Sequence, residues 1–182
     1  MKKETIKTNY LSCRLRAAGF GLRVLGIDPG TATTGWAILE EKNGLILPLA
    51  FGHISTSKNK TDEERLFEAS ADLREIIEKY RPQEAAVEAL FFFKNKKTII
   101  QVGQARGAIL LTLEQKNVNI FNYTPLQVKQ ALTGYGRAEK KQMQLMVKNI
   151  LKLKAIPKPD DTADALAIAL CHINSRKMNS LK

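Results

Sequence analysis

The segment VLGIDPGT, residues 24–31, predicts a buried strand that ends in a carboxylate and stops at a turn. Apolar or small residues lead into Asp28, and Pro29 and Gly30 then interrupt the extended chain, which is typical of an inner strand of a sheet. A carboxylate there is costly unless a cation or hydrogen bonds satisfy it, and ligand sites of open α/β sheets lie at the same strand ends. Asp28 is therefore either a ligand contact or a turn-capping residue of the Asx type.

Working outward, the chain that follows predicts an antiparallel meander, because only short connections separate its strands. The turn signal Asn43-Gly44 indicates a hairpin between the second and third strands. The three strands are expected at residues 23–28, 35–40 and 45–55.

A helix and a fourth strand come next. The helix begins after Thr61, where Glu64 completes a capping box, and it ends at Arg81-Pro82. The fourth strand, residues 85–88, is again apolar and again ends in an acid, Glu88. A helical crossover makes this strand parallel to the first.

The remaining pattern predicts one fifth strand and four more helices. We expect a helix at 97–116, a strand at 118–123, and helices at 124–132, 139–154 and 161–177. The fold class is α/β, with a mixed five-stranded sheet (an antiparallel meander plus two parallel strands) flanked by helices. We expect one domain at residues 23–178, after a basic N-terminal extension at 1–22 that is disordered.

The helix at 97–116 is apolar over more than one face. One side can cover the sheet, and the other requires a second helix or a second subunit. Gly103 and Gly107, four residues apart, would allow close approach of a neighbouring backbone.

Composition narrows the function classes. The chain has 182 residues and a net charge of +11, which suits a polyanionic partner or simply a solvated lysine-rich surface. Its apolar runs are too short for a membrane span. Two cysteines are too few for a disulfide framework, so we expect a cytoplasmic protein.

Three acidic features should meet at one edge of the sheet. Asp28 and Glu88 end parallel strands, while Asp161 and Asp164 share one face at the start of the last helix. Each alone could be structural, Asp161 and Asp164 as acids favoured by the helix dipole and Glu88 as the partner of a lysine. Together they suit Mg²⁺, with two ions acting on a phosphoryl displacement.

Basic and aromatic residues indicate where nucleic acid would bind. Arg137, Lys140 and Lys141 surround a helix N-terminus, where cations are unfavourable unless a phosphate binds, and Lys129 could join them. A solvated basic face is the alternative. Phe91 precedes a lysine-rich loop and could stack on unpaired bases, although phenylalanines in this run could also be core.

These segments, with the motifs GQARG at residues 103–107 and DTAD at 161–164, resemble the RuvC family of bacterial Holliday junction resolvases. The resemblance covers about residues 22–175 and leaves the N-terminal extension without a counterpart. It implies a ribonuclease H-like fold, a homodimer, and Mg²⁺-dependent symmetrical nicking of two strands of a four-way DNA junction. RuvA and RuvB are implied as partners, and Mn²⁺ as a substitute metal.

The resemblance also assigns site residues by position. The doubled acid at 160–161 leaves open whether Asp160 shares in the metal site, although the three-residue spacing favours Asp161. The dimer contact would fall on the helix around Gly103–Leu113. The catalytic and metal-binding residues would be Asp28, Glu88, Asp161 and Asp164, and the DNA-binding residues Phe91, Lys129 and Lys140, to which charge adds Arg137 and Lys141.

Three alternatives stay open at this point. An ATP-binding phosphotransferase has a similar first phosphate loop but needs two such domains. A non-catalytic junction binder would not need the complete set of acids. A related nuclease of the YqgF type would act on another nucleic acid.

Overall fold

The computed structural model describes residues 21–30, 32–89 and 99–180. Within them, one sheet has the strand order β3-β2-β1-β4-β5, antiparallel across β1, β2 and β3 and parallel across β1, β4 and β5. The predicted meander and parallel pair are confirmed. The strands are β1 (Leu22–Asp28), β2 (Thr33–Lys42), β3 (Leu45–Ser55), β4 (Glu84–Glu88) and β5 (Asn119–Tyr123). The helices are α1 (Asp62–Tyr80), α2 (Ile99–Gln115), α3 (Pro125–Thr133), α4 (Lys140–Ile150) and α5 (Asp160–Ser180).

Local sequence signals set the turns and helix ends where they were expected. Asn43 and Gly44 both have positive φ, 53° and 83°, as the right-handed twist of a tight hairpin requires. Thr61 and Glu64 form the complete capping box of α1. Arg81 ends that helix in the left-handed conformation.

The sheet separates two apolar clusters. Leu25 and Ile27 point to the face that α1 and α2 cover, whereas Val24 points to the face that α5 covers. This alternation follows from the two-residue period of a strand. β1 is buried on both faces because helices cover both, as its continuous apolar run predicted.

A buried polar cluster links α5 to strands β4 and β5. His172 is 1% exposed, and its ring nitrogens lie 2.7 Å from the Tyr123 hydroxyl and 2.7 Å from the Glu84 carboxylate. Arg176 pairs with the same carboxylate at 3.0 Å. The cost of burying the Glu84 carboxylate is offset because His172 and Arg176 both lie in hydrogen-bonding contact with it.

The predicted length of α4 is wrong at its end. The helix stops at Ile150 rather than at 154, since Lys152 takes a positive φ of 52°. Apolar periodicity continued past the stop because Leu151 and Leu153 still pack into the core from the turn. Apolar periodicity indicates which side chains are buried, and here the pattern extends beyond the last residue of the helix.

No helix within the described residues is long and apolar enough to cross a membrane. The predicted disordered extension, residues 1–22, lies outside the described part except for its last two residues, so it stays a prediction.

Candidate active site

Asp28 and Glu88 come together at the carboxyl edge of the sheet. β1 and β4 are adjacent and parallel, with Ile27 paired to Val87, so the next residue of each strand is an acid. A hydrogen bond joins the two carboxyl groups. The predicted pairing of these strand ends is therefore confirmed as a structural fact.

α5 brings its acids to the same edge by packing unusually close to the sheet. A Cβ atom at Gly26 of β1 would collide with the backbone oxygen of Ala165, and one at Gly35 of β2 would collide with that of Asp161. Only glycine permits this approach. The sequence pattern gives no sign of this role of the two glycines, because it depends on a helix about 130 residues further along the chain.

The charges at this edge act on one another. Burial raises the pKa of Asp28 to about 8, and repulsion by the carboxylates of Glu88, Asp164 and Asp161 adds to the effect. Burial likewise raises the pKa values of Glu88 and Asp164. Four acidic groups from β1, β4 and α5 thus form one electrostatic unit.

Lys140 forms an ion pair with one of these acids, Asp164. Its ammonium lies 3.3 Å from Asp164 and 3.2 Å from Asp160, and these carboxylates outweigh partial burial and raise the lysine pKa. The acids of α5 thereby offset the unfavourable interaction between the Lys140 charge and the dipole at the start of α4.

Asp160 stands apart from the other acids. Its carboxylate accepts hydrogen bonds from Lys140 and from Gln144, the latter at 3.0 Å, and the hydrogen bond with Lys140 lowers its pKa. It is exposed, and it is absent from the groups that shift the pKa of Asp28, whereas Asp161 is among them. Asp161 rather than Asp160 therefore acts on Asp28, although both act on Asp164.

The donor set suits hard divalent cations, although the side chains are not arranged around one. Among the described residues, no three Asp, Glu, His or Cys side chains are positioned to hold a metal ion. Asp28 is hydrogen-bonded to Glu88, and Asp164 is paired with Lys140. Burial and mutual repulsion raise the pKa values of these clustered carboxylates, and a bound divalent cation would offset that repulsion. A set of oxygen ligands favours Mg²⁺ or Mn²⁺.

The remaining predicted DNA contacts are less closely tied to the acids. Arg137 and Lys141 are exposed near the start of α4, and Lys129 is half-buried on α3. Phe91 lies outside the described residues. Among the described residues, no contact assigns a role to Arg137, Lys141 or Lys129, and the DNA-binding function of all four residues stays a prediction.

Comparison with known proteins is consistent with this architecture. The family model for crossover junction endodeoxyribonuclease RuvC matches residues 24–172. A RuvC of Caldicellulosiruptor saccharolyticus is 55% identical over 155 residues, which cover 85% of this chain and 93% of that relative. One of Petrotoga mobilis is 53% identical over 154 residues, which cover 85% and 94%.

Solved structures agree. The structure of Thermus thermophilus RuvC in complex with a Holliday junction substrate has a TM-score of 0.82 and 38% sequence identity, covering 87% of this chain and 97% of that one. The expected ribonuclease H-like fold class is confirmed by this similarity and by the mixed sheet.

Proposed function

This chain belongs to the RuvC family of crossover junction endodeoxyribonucleases, and on that premise we propose that Asp28, Glu88, Asp161 and Asp164 are the metal-binding acids of its active site. The chain is an endonuclease that resolves Holliday junctions. It is not the ATP-binding phosphotransferase considered above. The observation that carries the assignment is the convergence of Asp28 and Glu88, from adjacent parallel strands, with the acids of α5.

The family implies a divalent metal, and we propose that two Mg²⁺ ions bind per site, with Mn²⁺ able to replace them. Ions held there would lower the pKa of a bound water and stabilise charge on the leaving 3′ oxygen. The protein supplies a rigid, partly buried set of oxygens. To hold the ions, the Asp28 carboxylate would have to leave its hydrogen bond with Glu88, and Asp164 would have to leave its pairing with Lys140.

Lys140 has a second proposed role, in addition to its ion pair with Asp164. The Lys140 ammonium would face the scissile phosphate and offset charge developing on its non-bridging oxygens. Its position 3.3 Å from Asp164 supports this role. Phe91, Lys129, Arg137 and Lys141 are proposed to hold the junction, the phenylalanine by stacking on bases and the cations by contacting phosphates.

A homodimer would supply two such sites, one for each strand of a symmetrical cleavage. The outward side of α2 supports this proposal, since Ile100 and Leu111 are 71% and 60% exposed and a Cβ at Gly107 would meet nothing. A second copy packed there would cover these apolar groups. We further propose that RuvA and RuvB act with the dimer, and that the protein works in the cytoplasm.

The function is tested by incubating the purified chain with a synthetic four-way junction, a linear duplex and a single strand, with and without Mg²⁺. We expect paired nicks in two strands of like polarity, in the junction alone and only with metal. Cleavage of the duplex or single strand at a similar rate would point to a related nuclease with another substrate. Binding of the junction without any cleavage in Mg²⁺ or Mn²⁺ would contradict the catalytic assignment.

A further inference from the structure

Arg106 of α2 contacts the backbone of one of the proposed metal-binding residues. Its Nε donates to the carbonyl oxygen of Glu88 at 3.1 Å, and its Nη2 donates to the Asn122 Oδ1 atom at 2.6 Å. The side chain thus joins α2 to the end of β4 and to the neighbouring strand β5. Nothing in the proposed chemistry uses this guanidinium, because it reaches a main-chain carbonyl rather than a carboxylate.

The end of β4 is where such support matters. The paired register of β4 with β1 ends at Val87, one residue before Glu88, while pairing with β5 continues to Glu88 and Tyr123. Glu88 therefore lies one residue beyond the paired register of β4 with β1. The hydrogen bond from Arg106 adds an anchor at that residue.

The planar fork of arginine suits this task. Two of its N–H groups point in fixed directions, so that one side chain can hold Glu88 and Asn122 at a set separation. A lysine can supply only a point charge to one of them. Asn122 is paired with Val87 across the strands, so both acceptors belong to the same short stretch of the sheet edge.

We infer that Arg106 is a positioning residue that fixes the end of β4 and so presents the Glu88 carboxylate to the metal ions. The inference rests on the proposed function, because it requires Glu88 to be a metal ligand. It also links two parts of the molecule, since Arg106 lies on the helix whose outward side is proposed to meet the second subunit. Losing a residue that supports a metal ligand without contacting the metal reduces metal affinity or activity by about 10- to 100-fold.

The test compares Arg106→Gln, Arg106→Lys and Asn122→Ala in the full-length chain. Metal affinity is measured directly from free Mn²⁺ by electron paramagnetic resonance, and the Mg²⁺ concentration for half-maximal junction cleavage is measured alongside. We expect Arg106→Gln to weaken both by about 10-fold or more. Arg106→Lys and Asn122→Ala should each give a smaller loss, because each preserves part of the anchor, and junction affinity measured without metal should not change.

Lys116→Gln is the matched control. It removes an ion pair with Glu78 just beyond the other end of α2 and leaves the edge near Glu88 untouched. We expect it to lower stability slightly and to leave the Mn²⁺ affinity and the Mg²⁺ requirement unchanged.

Three outcomes would overturn the inference. Wild-type metal affinity in Arg106→Gln would show that the contact is only structural. Loss of junction affinity with normal metal affinity would make Arg106 a phosphate contact. If Arg106→Gln fails to fold, normal metal affinity in both Arg106→Lys and Asn122→Ala would also refute it. Failure of the proposed function is distinguishable, because Glu88→Gln would then bind Mn²⁺ and cleave junctions as the wild type does.

Discussion

The two faces of the sheet are built on opposite principles. On the α5 face, glycines let a helix lie almost against the strands, and the buried residues of that helix include many alanines. On the α1–α2 face, bulky side chains such as Leu25, Ile27 and Ile109 fill a conventional core. The first arrangement sets distances between backbones, and the second stabilises the fold through apolar burial.

The difference extends to the outer surfaces. The start of α5 presents acids to the carboxyl edge, whereas the outward sides of α1 and α2 leave Phe67, Ile100 and Leu111 exposed. The α5 side thus holds the charged groups in a fixed geometry, and the outer side of α1 and α2 is one of the places where apolar side chains are exposed. Arg106 reaches from the second side to the carbonyl of Glu88, a residue of the first.

Among changes that compare the two faces, the largest effect should follow from adding a methyl group on the α5 face. In Gly26→Ala the new methyl group collides with the backbone oxygen of Ala165, so α5 must shift and carry Asp161 and Asp164 with it. A displacement of about 1 Å can reduce a rate by about 100-fold. We expect junction cleavage to fall by that order.

Leu25→Ala is the matched change on the opposite face. Removing a fully buried leucine should cost about 2–5 kcal/mol of unfolding free energy, measured in urea, while folded molecules keep most of their cleavage rate. The comparison of faces fails if Gly26→Ala cleaves as well as the wild type, or if Leu25→Ala loses activity in proportion to Gly26→Ala.

A smaller effect is expected from charging the outer side of α2. Leu111→Asp places a carboxylate on a residue that is 60% exposed in the single chain, so folding should be little affected. A dimer that buries this position would lose at least about 10-fold in affinity, since an unpaired charge is costly to bury. Sedimentation measures the change, and Lys79→Asp on α1 serves as the control. Unchanged dimerisation would place the subunit contact elsewhere.

The last prediction concerns the pH dependence of stability rather than cleavage. The pKa of Asp28 is raised to about 8, so without metal the folded state keeps a proton that the unfolded chain loses near its ordinary value. This group's contribution to stability is complete below about pH 4 and is lost as the pH rises through about 8, a change on the order of several kcal/mol.

Urea unfolding at several pH values in EDTA checks this sign. Asp28→Asn should flatten the decline, and saturating Mg²⁺ should reverse it, because metal binds the ionised carboxylates. An identical decline in wild type and Asp28→Asn would show that other groups are responsible.

Local signals account for the parts of the molecule that sequence could predict. The ends of β1 and β4, the hairpin at Asn43-Gly44 and the capping box at Thr61 depend on a few neighbouring residues, and each is where the pattern indicated. The acids converge for a reason that topology alone supplies, namely that parallel strands end at one edge of a sheet.

What sequence could not predict depends on contacts between distant segments. Gly26 and Gly35 look like ordinary strand residues until α5 lies on them, and Arg106 looks like a surface cation until its partners on β4 and β5 are seen. The end of α4 was overestimated because Leu151 and Leu153 remain buried beyond the helix.

The central claim is that Asp28 is a metal ligand of a junction-cleaving site, and single-turnover cleavage of a four-way junction by Asp28→Asn in Mg²⁺ tests it most directly. Junction affinity is measured in parallel, with Asp72→Asn on α1 as the control for the same chemical change. The account predicts that Asp28→Asn binds the junction as tightly as the wild type and produces no nicks, while Asp72→Asn cleaves normally. Cleavage by Asp28→Asn at a rate near that of the wild type would contradict it.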